Sequence, residues 1–395
     1  VKANFVFTSE SVTEGHPDKL CDQISDAIVD HFLAADPWSR IVAECAVANG
    51  VIFIAARFVS TASVDIPQVA REVIRQVGYS GEDFNANDCT ILTNFTELAE
   101  SERVAVDERE LSSADHDRRT AKNHATVFGF ACNQTRTMMP MPIWLAHQLA
   151  MRLSQVRKDE ILSYLLPDAT IQVAIEYRNR APYRVHSMNL VASHRPLEEQ
   201  ALAAMRTDLI QHVFTPIFER EEVHFDTNTK IFINPEGPFI GGGPAVHSGL
   251  TGRKTAADLY GQYCRPSGSA LSGKDPARID RTGTYIARYA ARNIVAAGLA
   301  EQCEVQLSYT IGQAQPVSIQ VESYGTGKVD DDELAKRIKQ HLDFRPSAVI
   351  AQFNLRHQKE ISGEGFYRKL AAYGQVGRAD LDLPWERTDK ADLLR

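Results

Sequence analysis

The sequence predicts an α+β fold of three related domains, each a sheet with one face covered by helices. A helix, a hairpin, a second helix and a strand follow one another three times along 395 residues, a recurrence of pattern without identity of letters. The first hairpin is marked by Asn49-Gly50, a strong turn pair between two apolar runs. With 44% hydrophobic residues the chain is long enough to bury about two to three cores. The plainer alternative is that any α+β chain admits such a parse.

In order, the first unit has a helix over 17–35, opened by Pro17, whose missing N–H costs nothing in a first turn. Strands Ile41–Val47 and Val51–Val59, a helix at Ile66–Val77 and a strand-like run Cys89–Asn94 follow. The second unit has helix Ile143–Arg157, strands Thr170–Tyr177 and Tyr183–Ala192 around Asn179-Arg180, helix Leu197–Phe218 and strand Lys230–Asn234. The third has helix Ile279–Ala297, strands Glu304–Ile311 and Val317–Tyr324, helix Asp331–His341 and strand Ala348–Phe353. The domains are expected at 1–105, 120–240 and 241–395, with discontinuity between them allowed. Residues 95–126 are polar and charged, a disordered loop or, the favoured reading, a mobile lid.

Composition narrows the function. A net charge of −8 argues against a general nucleic-acid surface, while leaving room for a local phosphate pocket. No apolar run reaches the roughly 18 to 20 residues of a membrane span, and the start lacks a signal-peptide pattern, so a soluble cytoplasmic protein is expected. The six cysteines are scattered without Cys-x-x-Cys spacing, which suggests reduced thiols rather than zinc ligands or disulfides.

Two stretches are dense in chemistry. Glu14-Gly-His-Pro-Asp-Lys19 places two carboxylates, an imidazole and an ammonium at a helix start, whose positive dipole end can face an anion such as a metal-bound polyphosphate. A capping segment with incidental charge is the alternative. Residues 235–276 are glycine-rich, and Arg253, Lys254 and Lys274 add the charge a triphosphate requires. Gly268 to Lys274 satisfies G-x-x-x-x-G-K, but Asp275 stands where a P-loop needs Ser or Thr, so a phosphate loop of another design is expected. Asp280, at the next helix start, either binds magnesium or caps the helix.

With these blocks assembled, the chain resembles the S-adenosylmethionine synthetases over almost its whole length. The resemblance rests on Phe7-Thr-Ser-Glu-Ser-Val12, Glu14-Gly-His-Pro-Asp-Lys19, Asp22-Gln-Ile-Ser-Asp-Ala27, Phe128-Gly-Phe-Ala131, Leu166-Pro-Asp168, Phe232-Ile-Asn-Pro235, Gly249-Leu-Thr-Gly-Arg-Lys254, Ser272-Gly-Lys-Asp275, Asn293-Ile-Val-Ala-Ala-Gly-Leu299, Pro384-Trp-Glu386 and Thr388-Asp-Lys-Ala391. It implies three pseudo-threefold-related domains with mainly antiparallel sheets, and a homodimer, itself able to pair, with active sites between protomers. It also implies that a thioether sulfur attacks C5′ of ATP and that the released triphosphate is cleaved to pyrophosphate and phosphate. Carried over by position, His16 sits near the bridging oxygen at C5′, while Asp18 and Asp280 hold a pair of magnesium ions. Arg253, Lys254 and Lys274 grip the triphosphate, Glu44 helps bind potassium, Asp168 faces the nucleoside and Phe239 stacks on adenine.

The departures fall mostly on the acceptor. Where the family places two acids to hold the methionine ammonium, this chain has Arg57 and His247, and Leu98 replaces a Gln that contacts the amino acid. An ammonium beside a guanidinium in a partly desolvated pocket costs on the order of a few kcal/mol. A methionine-related thioether lacking a free ammonium, or carrying extra negative charge, is therefore the preferred acceptor, with methionine itself in a rearranged pocket as the alternative. Asn123 stands for a family Asp, and the glycine-rich loop reads Ser267-Gly-Ser-Ala-Leu271. Thr170 stands for a Lys, with Lys122 and Arg278 as candidate replacements. The alternative function is a non-catalytic regulatory homologue that keeps the fold and the ATP site.

Overall fold

The computed structural model describes residues 3–358, 363 and 365–395. The first repeat runs β1 (Phe5–Val12), α1 (Pro17–Ala35), β2 (Arg40–Ala48), β3 (Val51–Val59), α2 (Ile66–Val77) and β4 (Thr90–Glu97). After the short α3 (Ser113–Arg118), the second has β5 (Ala125–Cys132), α4 (Met141–Lys158), β6 (Leu165–Arg178), β7 (Ala181–His194), α5 (Glu199–Leu209), α6 (Thr215–Phe218) and β8 (Lys230–Ile233). The third has β9 (Gly249–Leu250), α7 (Thr255–Asp258), α8 (Ile279–Ala296), β10 (Gln302–Tyr309), β11 (Ser318–Glu322), α9 (Asp331–His341) and α10 (Pro346–Phe353).

Among the described residues the strands form three sheets, ordered β4-β3-β2-β9, β1-β6-β7-β8 and β11-β10-β5. The strand preceding each repeat's first helix leaves its own repeat: β1 pairs antiparallel with β6, β5 with β10 and β9 with β2. This cyclic exchange binds the repeats into one body and gives the threefold recurrence its structural counterpart. Helix α1 lies on β2, α4 on β1 and β6, and α8 on β5 and β10. All three are buried on nearly every side, the mark of helices at the centre of a protein. Helix α2 instead buries one stripe, Ile66, Val69, Ala70, Val73, Ile74 and Val77. Gly129 of Phe128-Gly-Phe is required by this packing, since a Cβ there would overlap the Ala287 backbone of α8.

One expected strand is corrected: Ala348–Phe353 lies in helix α10. Pro346 opens that helix and Asn354 ends it in the left-handed region at φ 50°. A short apolar run fits either state by periodicity alone. The third sheet therefore stops at three strands, while the other two add a parallel fourth, β4 on β3 and β8 on β7. The helix expected over 197–218 is broken by a π turn at Ile210–Phe214, and the His212 carbonyl there accepts from Arg152 Nε at 2.9 Å.

The segment read as a lid is anchored at three points. Arg103 forks onto Asp36 at 2.8 and 2.9 Å, Arg356 donates to Glu108 at 2.8 Å, and Arg345 meets Asp117 at 3.0 Å. All six cysteines are free thiols. Among the described residues no helix is long and apolar enough to cross a membrane.

Candidate active site

Helix α1 carries Asp18, Asp22, Asp26 and Asp30, and a spacing of four places them along one face. Each receives backbone N–H groups from elsewhere: Asp18 from Leu250 at 3.0 Å, Asp22 from Gly252 at 2.8 Å, Asp26 from Gly273 at 2.8 Å, and Asp30 from Tyr367 and Arg368 at 3.0 and 2.9 Å. Buried carboxylates need such donors and cations, so Asp22 also takes Lys19 Nζ at 2.9 Å and Asp26 takes Arg281. The ladder hangs both glycine-rich loops, 249–254 and 272–275, on one helix. Gly249 is required here, because a Cβ would overlap the Pro17 backbone. The sequence reading passed over this spacing, although it is visible in the letters.

The first turn of α1 gathers one group of site residues. His16 is the N-cap, its Nδ1 accepting from the Asp18 N–H at 3.1 Å, which leaves the proton of the neutral ring on Nε2. Burial, reinforced by the charges of Lys254 and His247 and opposed by Asp168 and Asp18, lowers its pKa to about 4. His16 is therefore a neutral N–H donor near pH 7. Asp18 accepts from Lys254 Nζ at 2.8 Å and lies 3.4 Å from Arg253 Nε. Burial alone would raise its pKa, but the bond and charge of Lys254, with His16 and the Leu250 amide, hold it below the usual carboxylate value.

Asp168, near the start of β6, accepts at Oδ2 from the Gly243 N–H at 2.8 Å and from His247 Nε2 at 2.7 Å. The His247 ring meets that of His16 edge to face, with centroids 5.0 Å apart. Phe239 lies beside Gly242 and Ser193, and Ser193 Oγ donates to the Asp168 carbonyl at 2.7 Å. His16, Asp18, Arg253, Lys254, Asp168, His247 and Phe239 thus belong to one neighbourhood.

A second group lies farther along α1. Lys274 Nζ is 3.3 Å from Asp280 Oδ1 in the first turn of α8, and Asn123 Nδ2 donates to Asp280 Oδ2 at 3.0 Å. Burial lowers the Lys274 pKa, against Asp280 and with help from Arg278 and Arg281. Of the candidate replacements for the lysine absent at Thr170, Lys122 is exposed, whereas Arg278 precedes α8 with its Nε buried and unpartnered.

The remaining residues lie on or beside the outer face of the β4-β3-β2-β9 sheet. Glu44 and Arg57 are exposed on that face. Leu98 follows β4 and is half-buried, its N–H donating to the Phe58 carbonyl at 2.7 Å. The face also carries Val51, Phe53, Leu92 and Leu250, between 41% and 52% exposed, and the exposed polar Thr90, Asn94 and Thr96 of β4. Arg57 and His247 do not meet within the chain. The segment leading to His247 sits at the β2–β3 turn, where Asn49 N–H reaches the Pro244 carbonyl at 2.9 Å, whereas Arg57 pairs with Val42 toward the other end.

The donor chemistry fits magnesium on a polyphosphate. Asp18 and Asp280 are buried carboxylates, each beside a cation, and Mg²⁺ commonly uses one or two carboxylates with phosphate oxygens and water. His16, Asp168 and His247 place ligand atoms within 4.8 Å of one another, but His16 Nδ1 and His247 Nε2 are already committed to hydrogen bonds, and imidazoles suit a softer metal. Around Glu44 no group of three or more His, Cys, Asp or Glu forms among the described residues.

Three family profiles match the chain: the S-adenosylmethionine synthetase N-terminal domain over residues 4–100, the central domain over 118–239 and the C-terminal domain over 241–387. A relative named S-adenosylmethionine synthase from Synechococcus sp. (strain JA-2-3B'a(2-13)) is 45% identical, the alignment covering 99% of this chain and 97% of that protein. One of the same name from Trichormus variabilis (strain ATCC 29413 / PCC 7937) is 46% identical over 99% of this chain and 96% of its own. With profiles matching all three domains and relatives aligned nearly end to end, the chain belongs to the S-adenosylmethionine synthetase family.

Proposed function

We propose that the protein transfers the adenosyl group of ATP to a thioether. A sulfur lone pair forms the S–C5′ bond, the C5′–O bond breaks with its electrons on oxygen, and the intact triphosphate leaves before water cleaves it to pyrophosphate and phosphate. The observation that carries this reading is the neutral His16 beside the Asp18–Lys254 pair. Its Nε2–H is suited to donate to the departing oxygen, while Arg253, Lys254 and Lys274 take the charge that builds on the phosphates. Magnesium, held by Asp18 and Asp280, would neutralise part of that charge when bound. Asp168, oriented by Gly243 and His247, is placed to receive the nucleoside hydroxyls, and Phe239 to stack on adenine.

The active form proposed is a homodimer with sites between protomers. Supporting this, the α1 turn and the Lys274–Asp280 pair are separated along α1 by about 12 Å, at 1.5 Å per residue from Asp18 to Asp26. The exposed apolar side chains of the outer face give a second copy a surface to cover, and there Glu44 would gain the donors a potassium site needs.

The acceptor proposed is a thioether related to methionine but not gripped by its ammonium. His247 is tied to Asp168, and Arg57 is a cation, so neither supplies the acid an ammonium needs. The test is to incubate the protein with ATP, magnesium and potassium alongside methionine, N-acetylmethionine or methylthiopropionate, and to identify the sulfonium by mass spectrometry. Turnover of the ammonium-free thioethers at or above that of methionine supports the altered acceptor. Preference for methionine by the roughly hundredfold that an ammonium contact provides would sink it.

A further inference from the structure

We propose that Arg57 grips the polyphosphate and takes over the work of the lysine absent at Thr170. The inference rests on the adenosyl-transfer reading and concerns the leaving group, not the acceptor. It comes from strand register. Arg57 on β3 pairs with Val42 on β2, and Val42 pairs on its other edge with Lys274. Residues directly opposite in a sheet point to the same face, so Arg57, Val42 and Lys274 form a row on the outer face.

Adjacent strands lie about 4.8 Å apart, which separates the Cα atoms of Arg57 and Lys274 by roughly 10 Å. Val42 between them is too short to screen one cation from the other. Two long basic side chains at that spacing can straddle one oxyanion chain. They cannot pair with each other, and the anion between them must come from outside.

The surroundings favour an anion. Arg57 is exposed and makes no ion pair among the described residues, although Glu44 stands diagonally across on the same face. Lys274 has Asp280 at 3.3 Å, a carboxylate also suited to the metal of a nucleotide. Arg278 is near enough to depress the Lys274 pKa, so the cations outnumber that carboxylate. Thr170 is in the sheet formed by β1, β6, β7 and β8 and Arg57 in the β4-β3-β2-β9 sheet, so the exchange moves a positive charge to another sheet rather than restoring one in place. Guanidinium also suits the task, since its planar fork binds two phosphate oxygens together.

The experiment measures binding of inorganic tripolyphosphate with magnesium, and of adenosine, by calorimetry on the whole protein. Arg57→Ala should weaken tripolyphosphate at least tenfold, leave adenosine unchanged, and be rescued to within a few-fold by Arg57→Lys. Lys274→Ala and Lys254→Ala are the controls, and light scattering checks that each variant keeps its mass. If both controls lose tripolyphosphate while Arg57→Ala binds it normally, Arg57 lies off the polyphosphate and the proposal is overturned. If none of the three changes matters, the polyphosphate reading of the site fails and takes this inference with it.

Discussion

The first turn of α1 and the far end of the outer sheet face are built on opposite principles. At the turn nearly every charge is answered inside the chain: Asp18 by Lys254, Asp168 by His247, Lys19 by Asp22 and Asp258, and Glu14 by Arg157 and Lys158. On the outer face Glu44 and Arg57 stand exposed among apolar side chains. A site whose groups are pre-paired is organised before substrate arrives and meets charge without rearranging, the condition for strong electrostatic catalysis. A face left open is completed by something else, on the reading proposed above a second protomer and a polyphosphate. The difference teaches where change is tolerated. The paired end keeps His16, Asp18, Asp168, Arg253 and Lys254 but carries His247 and Thr170 in place of an acid and a lysine, and the open end holds Arg57.

The sharpest way to break the comparison is to spoil the open face. Phe53→Asp puts a carboxylate in its apolar centre and should convert dimer to monomer with loss of turnover, read by light scattering and a product assay. A monomeric wild type, or an active monomeric variant, would mean one chain suffices. Next, Lys254→Ala removes the nearer of the two cations beside Asp18 and should slow single-turnover triphosphate release by about a thousandfold with little change in melting temperature.

His16→Ala should cost about a hundredfold in the same step, and His16→Gln, which keeps an N–H donor, should recover part of it. Because burial holds the His16 pKa near 4, below its ordinary value of 6.5, the ring gains its proton only at acidic pH. The rate of departure should therefore stay flat through the neutral range, and a step near the ordinary histidine value would place a protonated His16 in the mechanism. The smallest effect, read on methionine binding with no polyphosphate present, is expected for Arg57→Glu combined with His247→Asp. Restoring two acids should strengthen methionine binding by about tenfold, and no gain would mean the acceptor pocket is rebuilt beyond those positions.

Much of the fold was legible because helix starts, the Asn49-Gly50 turn and the apolar runs act locally. Ala348–Phe353 misled because a short apolar run has no period of its own, and Pro346 and Asn354 decided for helix. The strand exchange was not legible, since β1 and β9 choose partners more than 150 residues away in sequence. In the site, His16 and Asp18 could be read from one motif, and the aspartates of α1 could have been read from their spacing. The Asp168–His247 pair and the Arg57–Val42–Lys274 row could not, because tertiary register creates them. Glu14, dense in promise beside His16, is held by two cations at the end of α4.

The most direct test follows the bond that breaks. ATP carrying a heavy-oxygen label at the bridge between C5′ and the α-phosphate is turned over with the best acceptor of the thioether panel, and the label is located by mass spectrometry. Attack at C5′ sends the label out with the pyrophosphate and phosphate. A label left on the adenosine would place cleavage at phosphorus and contradict adenosyl transfer.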